Sequence, residues 1–175
     1  DESTASMSLA DIFRFLAEAG GDPLRERLRR ELTIVFIPML NPDGAELFQR
    51  ENAVGIDVNR DARRLSTPEA ATLRKMHESF RPEFGFNLHD QNARTRVGRR
   101  GVQSEIALLA PDYDSALCYN DVRSPARLVA AALATTFAHA IPGRIAKYDD
   151  AFNPRAFGDL MQQWGTSTVL IESGA

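Results

Sequence analysis

Two apolar runs in this sequence end on groups able to do chemistry: FGFNLH, residues 84–89, ends on His89, and VLIE, residues 169–172, ends on Glu172. A histidine at a strand end suits a metal ligand or a general base, and equally a hydrogen-bonded structural role. A carboxylate placed directly after a buried run is desolvated, which lifts its pKa towards the range useful for a base. The competing role for Glu172 is a strand-end salt bridge. A third stretch, NPDGAELFQRENAVGIDVNR at residues 41–60, spends Arg50, Asn59 and Arg60 on a segment that otherwise reads as a loop and a short strand. Guanidinium groups grip a carboxylate bidentately and stay charged. The rival explanation is a surface ion-pair network of Asp57, Arg60 and Asp61, worth little energetically. Spacing alone does not choose between them.

The other titratable groups are less pointed. His77 lies in a helical pattern without the second histidine of a two-histidine zinc helix, so a solvated helix face is expected. His139, among apolar neighbours in an Ala-rich helix, reads as a core or helix-end histidine. No Gly-x-Ser-x-Gly nucleophile elbow and no Gly-rich phosphate loop is present. RTRVGRRG, residues 94–101, is a basic loop after His89. Such runs are usually just solvated, but at the rim of a cleft one could steer anionic substrates.

The elements that must position these residues follow from periodicity and punctuation. Leu9, Ile12, Phe13, Leu16 and Ala17 recur at helical spacing before Gly20-Gly21, which predicts a helix over 8–19, with a further turn or two over 24–30. LTIVFIPM, residues 32–39, is an unbroken apolar run and predicts a strand buried on both faces. Ser66-Thr67-Pro68-Glu69 opens a helix that runs to about Phe80. Strands are predicted over 84–88, 106–110, 144–147 and 166–171, with helices over 124–141 and 157–163. Strands alternating with helices define an α/β fold with a mixed, largely parallel sheet covered on both faces. Functional groups in such sheets gather beyond the carboxyl ends of the strands, where His89-Asp90-Gln91 and Glu172 fall.

The chain of 175 residues fits a single domain over 1–175, and its formal charge of −3 makes nucleic acid a poor partner. The longest apolar stretch, LVAAALATTFAHAI at 128–141, is shorter than the roughly 20 residues of a membrane span and reads as a buried helix. No membrane span is expected. Cys118, the only cysteine, excludes an internal disulfide and is expected to be half-buried.

Taken in order, NPDG, an arginine, GIDVNR, a strand ending in NLH and a later VLIE resemble the zinc metallocarboxypeptidases, the carboxypeptidase A-like peptidases. The resemblance implies an α/β/α sandwich and one zinc ion held by a His-x-x-Glu motif and a distant histidine. His89 falls on the distant histidine, and Glu2 on the ligand glutamate of what looks like the tail of a His-Gly-Asp-Glu-Ser-Thr segment. That motif's histidine would precede Asp1, so the resemblance implies a piece of a longer enzyme, incomplete at both ends and lacking the first strands of the sheet.

By the same resemblance Glu172 is the general base, Arg50 polarises the scissile carbonyl, and Asn59 and Arg60 bind the terminal carboxylate of a peptide substrate. Tyr148 is the nearest tyrosine to the family's substrate-capping position. Asp159 lies where the family builds its side-chain pocket. Asp1 stands where many members carry an arginine, so a specificity different from that of the digestive enzymes is expected. Family habit implies a secreted or periplasmic protein. Two alternatives remain open: an N-acyl amino acid hydrolase of the aspartoacylase-like type, and a non-catalytic homologue that binds peptide C-termini.

Overall fold

The parallel ladder between the strands carrying His89 and Glu172 is the centre of the computed structural model, which describes residues 3–99, 101–148 and 151–174. In chain order the elements are α1 (Ser3–Ala17), α2 (Pro23–Glu31), α3 (Pro42–Leu47), a 3-10 turn (Val58–Arg60), α4 (Pro68–Phe80) and β1 (Phe84–Asp90). The hairpin β2 (Arg96–Val97) and β3 (Val102–Gln103) follows. Then come β4 (Ile106–Leu109), α5 (Arg123–Ala140), β5 (Ile145–Lys147), α6 (Phe157–Gln163) and β6 (Ser167–Ser173). The main sheet has the order β1-β6-β4-β5, with β1 parallel to β6, β4 antiparallel to β6 and β5 parallel to β4.

Side chains alternate across a strand, so the two faces of the sheet can be assigned. On one face α6, α4 and the 3-10 turn pack around Val58, Ala62, Ala70, Phe157 and Leu160. On the other, Ala126 of α5 packs with Ala110 and Val169, and Ile171 joins them. The expected α/β fold with a mixed, mostly parallel sheet and helices on both faces is observed.

Local signals fix most helix ends. Asp22 accepts from the Arg25 amide (2.9 Å) and starts α2 at Pro23, while Gly20, at φ 121°, separates α2 from α1. Thr67 accepts from the Ala70 amide (3.2 Å) with Pro68 at the first position of α4, as its sequence predicts. The start of α1 is fixed from a distance. The Asp90 carboxylate, at the carboxyl end of β1, accepts from the Ala5 amide (2.8 Å) and the Thr4 amide (3.2 Å). These are orphan donors of a first helical turn, and a carboxylate there also meets the positive end of the helix dipole.

Several expectations are corrected. Residues 32–39 are not a buried strand: no strand pairs with them among the described residues, and Leu32, Ile34, Val35 and Met39 are exposed. An apolar run becomes a ladder only where a partner takes up its amides and carbonyls. Its one aromatic contact is Phe36 against Phe13, edge-on at 5.4 Å. α5 is amphipathic rather than buried, with Ala126 inside and Leu128 74% exposed. Cys118 is exposed, and the basic loop after His89 contains the two-stranded hairpin β2–β3.

His77 is 8% exposed instead of solvated, because its Nε2 meets the Thr166 hydroxyl at 2.8 Å. That hydroxyl donates its single proton to the Pro82 carbonyl (2.8 Å), so Nε2–H of His77 is the donor in the first bond. Burial and then the neighbouring Arg74 charge hold the imidazole pKa below its ordinary value. His77 is thus a neutral tie between α4 and the start of β6. His139 sits exposed in the last turn of α5, the helix-end alternative. No helix among the described residues is long and apolar enough to cross a membrane.

Asp90→Ala is expected to lower the unfolding free energy by about 1 kcal/mol, as loss of a capping carboxylate does. Amide hydrogen exchange should quicken in the first turn of α1 and stay slow in β6. Unchanged exchange at Thr4 and Ala5 would contradict the anchoring role.

Candidate active site

The register of the parallel β1–β6 ladder pairs His89 directly with Glu172. Directly opposed residues of neighbouring strands lie about 5 Å apart and point to the same face. β6 extends two residues beyond the expected end at 171, so Glu172 lies inside the strand rather than past it. Its backbone is therefore held on both sides, by β1 at His89 and by β4 at Ala107. Both side chains are half-buried. The main-chain ladder thus sets a histidine and a glutamate side by side on neighbouring strands.

The same face explains how Asn59 approaches. Gly85, Asn87 and His89 alternate along β1 on the side covered by α6. A Cβ on Gly158 would lie 3.5 Å from the Asn87 amide nitrogen, so the start of α6 rests two residues below His89. The Phe157 amide at that start donates to Asn59 Oδ1 (3.0 Å). With a rise of about 3.3 Å per strand residue, Asn59 lies on the order of 10 Å from His89 along this face. Because the amide oxygen is occupied as a helix cap, the Asn59 Nδ2 is the end left for a ligand. It can only donate, which suits a carboxylate.

Arg50 is positioned by the NPDG motif. Asn41 Oδ1 accepts from the Gly44 amide (3.0 Å), and its Nδ2 donates to the Arg50 carbonyl (3.0 Å). Pro42 begins α3 where a loop was expected; an Asn cap followed by Pro at the first position is a helix-start signal. Any Cβ on Gly44 would come within 2.6 Å of the Gln49 carbonyl oxygen and 2.9 Å of that of Glu51. Glycine is required there because the chain carrying Arg50 folds back onto it.

Asp57 then ties the two gripping groups together. Its Oδ2 accepts from Arg50 Nε (3.0 Å) and its Oδ1 from the Asn59 amide (2.9 Å). Arg60 donates from its guanidinium to the Asn59 carbonyl (2.8 Å) and is half-buried. Asp61 plays a different part. Burial pushes its pKa up, but the Ser66 hydroxyl (2.7 Å) and the Thr67 amide (2.8 Å) outweigh this and hold it below the ordinary value. A surface network of Asp57, Arg60 and Asp61 is therefore not what forms: Asp57 pairs with Arg50, and Asp61 caps the turn before α4.

Asp159 and Tyr148 lie further out. Asp159 is buried in α6 and accepts from the Asn153 amide (3.1 Å). Burial lifts its pKa from 3.8 to about 6; the Asn153 amide opposes this, while the charge of buried Asp112 adds to it. Asp112 itself pairs with the buried Arg123 at 2.5 Å. Tyr148 follows β5, and its amide donates to the Leu108 carbonyl (3.0 Å), which fixes it two strands away from Glu172 on the β4–β5 side. Glu2 lies outside the described residues.

A mixed sheet with a histidine and a glutamate in register near its strand ends, and Asn59 approaching the same face through α6, is the arrangement to compare with known proteins. The sequence profile of the zinc carboxypeptidase family matches residues 1–110, and the chain belongs to that family. That match takes in Arg50, Asn59, Arg60 and His89; Tyr148, Asp159 and Glu172 lie beyond it.

Among individual proteins, Carboxypeptidase 2 of Trichophyton rubrum is 29% identical over 72 residues, covering 41% of this chain and 13% of the relative. Carboxypeptidase 2 of Trichophyton tonsurans gives the same identity, length and shares. The crystal structure of a metallo-carboxypeptidase from Burkholderia cenocepacia superposes with a TM-score of 0.72 at 20% identity, over 98% of this chain and 44% of that one. The chain thus spans less than half the length of the proteins it resembles.

The fit to zinc can be tested on the residues themselves. A protein zinc site of this chemistry needs three nitrogen, sulfur or carboxylate ligands. No group of three or more His, Cys, Asp or Glu side chains able to hold a metal occurs among the described residues. His89 offers one ligand, on a rigid strand. The described residues do not complete the metal site, and the chemistry below is derived from the protein groups.

Two substitutions test this geometry. In the folded state the Asp159 carboxyl keeps its proton up to about pH 6, whereas in the unfolded chain it releases it near 3.8. Its ionisation therefore costs stability as pH rises through that window. Asp159→Asn is expected to stabilise the fold at pH 7.5 by up to about 3 kcal/mol, at 1.36 kcal/mol per pKa unit, and to change little at pH 3.5. Urea titrations at both values check this, and an equal effect at both would contradict it. Gly44→Ala is expected to destabilise by about 1–3 kcal/mol, the range for overpacking, and to disturb Arg50. A neutral outcome would show that residues 49–51 do not press on Gly44.

Proposed function

We propose that the full-length protein hydrolyses the C-terminal peptide bond of peptides that end in a free carboxylate. The observation that supports this reading is the side-by-side register of His89 and Glu172, with Asn59 held to the same face by the start of α6. Arg60 is a permanent cation and Asn59 Nδ2 a fixed donor, so together they hold the terminal carboxylate and set which bond lies at the reaction centre. Arg50 donates to the scissile carbonyl and stabilises the charge that develops on its oxygen. Glu172 accepts a proton from the attacking water and returns it to the leaving amine.

Zinc, with His89 and Glu2 as two of its ligands, would when bound act as a Lewis acid and acidify the water at the site. Asp57 holds Arg50 and Asn59 at fixed separation. In this reading Asp159 lines the side-chain pocket and Tyr148 is the candidate for capping the bound substrate. An ionised Asp159 favours a basic terminal residue, and that preference weakens below about pH 6.

The test uses the full-length zinc-loaded enzyme and matched peptides with free and amidated C-termini. The free peptide should be cleaved and the amide spared. Equal cleavage of both would remove the carboxylate grip from Asn59 and Arg60, and turnover of N-acyl amino acids without peptides would replace the reading with an acyl-amino-acid hydrolase. Arg50→Gln should lower kcat by about 100-fold to 1,000-fold, the cost of one oxyanion donor. An unchanged kcat with a raised KM would place Arg50 on the ground-state substrate instead.

A further inference from the structure

We propose that the β2–β3 hairpin makes the cleft selective for peptides with acidic side chains upstream of their C-terminal residue. This deepens the carboxypeptidase reading and rests on it. The hairpin packs against β5 and is linked through Gln91 to the strand ends that carry His89 and Glu172. The Gln91 amide donates to the Ser173 carbonyl (2.9 Å), joining the residue two beyond His89 to the residue after Glu172. Gln91, buried, also donates from its side chain to the carbonyl of fully buried Ser104. The Ser104 amide in turn bonds the Thr95 carbonyl (3.0 Å). Gln91 lies about 7 Å from His89, two residues of strand rise, and its side chain ties the root of the hairpin to that strand end.

What the hairpin presents is cationic charge without counter-charge. Arg94, Arg96 and Arg99 are exposed, and none forms an ion pair among the described residues. Arg96 only folds back on the carbonyls of Ala93 (2.6 Å) and Thr95 (3.2 Å). Some exposed arginines are matched, Arg14 with Asp11 and Arg27 with Glu31, while Arg63, Arg64, Arg81 and Arg155 are exposed without an ion pair among the described residues. The hairpin differs in gathering three such arginines within six residues, and the ion pair of Arg144 with Glu105 lies at its root. The whole chain carries −3, so this cluster runs against the net charge.

An extended peptide that runs from His89 towards the hairpin comes level with it after about four residues, at about 3.3 Å each. That is where a guanidinium meets a side-chain carboxylate directly, inside the roughly 8 Å screening length of physiological salt.

The experiment uses full-length zinc-loaded protein and two peptides with the same C-terminal residue, one with Glu and one with Gln at the three preceding positions. At 50 mM salt the Glu peptide should show roughly 10-fold higher kcat/KM, mostly through KM, and the advantage should shrink at 0.5 M salt. The R94Q/R96Q/R99Q variant should lose the advantage while its turnover of the Gln peptide is unchanged. Equal kcat/KM for both peptides in the wild type, or a preference that survives the triple substitution, would overturn the proposal.

Fluorescence anisotropy with fluorescein-labelled forms of the two peptides decides the point without turnover. Tighter Glu binding that the triple variant loses supports the hairpin, and equal binding overturns it. Failure to cleave either peptide counts against the carboxypeptidase reading alone. Tighter binding to phosphatidylserine vesicles than to the Glu peptide would reassign the hairpin to a membrane surface and overturn the peptide proposal.

Discussion

One constraint holds the candidate site together, the parallel register that sets His89 opposite Glu172. In a strand the side-chain period is two, so slipping the ladder by one residue would turn one of the pair to the other face. The register is held on both faces. Thr168, fully buried, and Leu170 face α6, while Val169, fully buried, faces α5. Moving Glu172 would therefore expose a core residue on one side and bury a misfit on the other. The precision of the site is thus supplied by apolar packing that does no chemistry.

Around that pair the polar groups are divided by what they can still offer. Asn59 uses its oxygen to cap α6 and keeps its nitrogen as a donor. Asp57 uses both carboxylate oxygens to hold Arg50 and Asn59, so it orders cations and amides rather than substrate. Asp90, one residue after His89, faces the opposite side and holds the first turn of α1. Neighbours in sequence thus serve different tasks because the strand sends them to different faces.

The elements legible from sequence are those whose ends are written locally. Thr67-Pro68 marks α4, and the predicted range 157–163 of α6 matches its observed span. The candidate site residues His89, Glu172, Arg50, Asn59 and Arg60 stand out in the sequence because apolar runs end on them or because a recognisable motif carries them. What stayed hidden was decided by partners far along the chain. The burial of His77 depends on Thr166, 89 residues away, and the state of 32–39 depends on whether a strand lies beside it. The short helix at Pro42 was signalled by Asn41-Pro42 but read as a turn, because NPDG is also turn chemistry. The hairpin was masked by its own charge, since RTRV carries little apolar alternation.

The central claim is that His89 is a metal ligand set beside a catalytic glutamate. Metal analysis of purified full-length protein, wild type against His89→Gln, tests it most directly. The account predicts one equivalent of zinc per wild-type chain and a substoichiometric amount in the variant, with the fold intact by circular dichroism. A wild type without zinc after zinc supplementation, or a variant that retains a full equivalent, would contradict it.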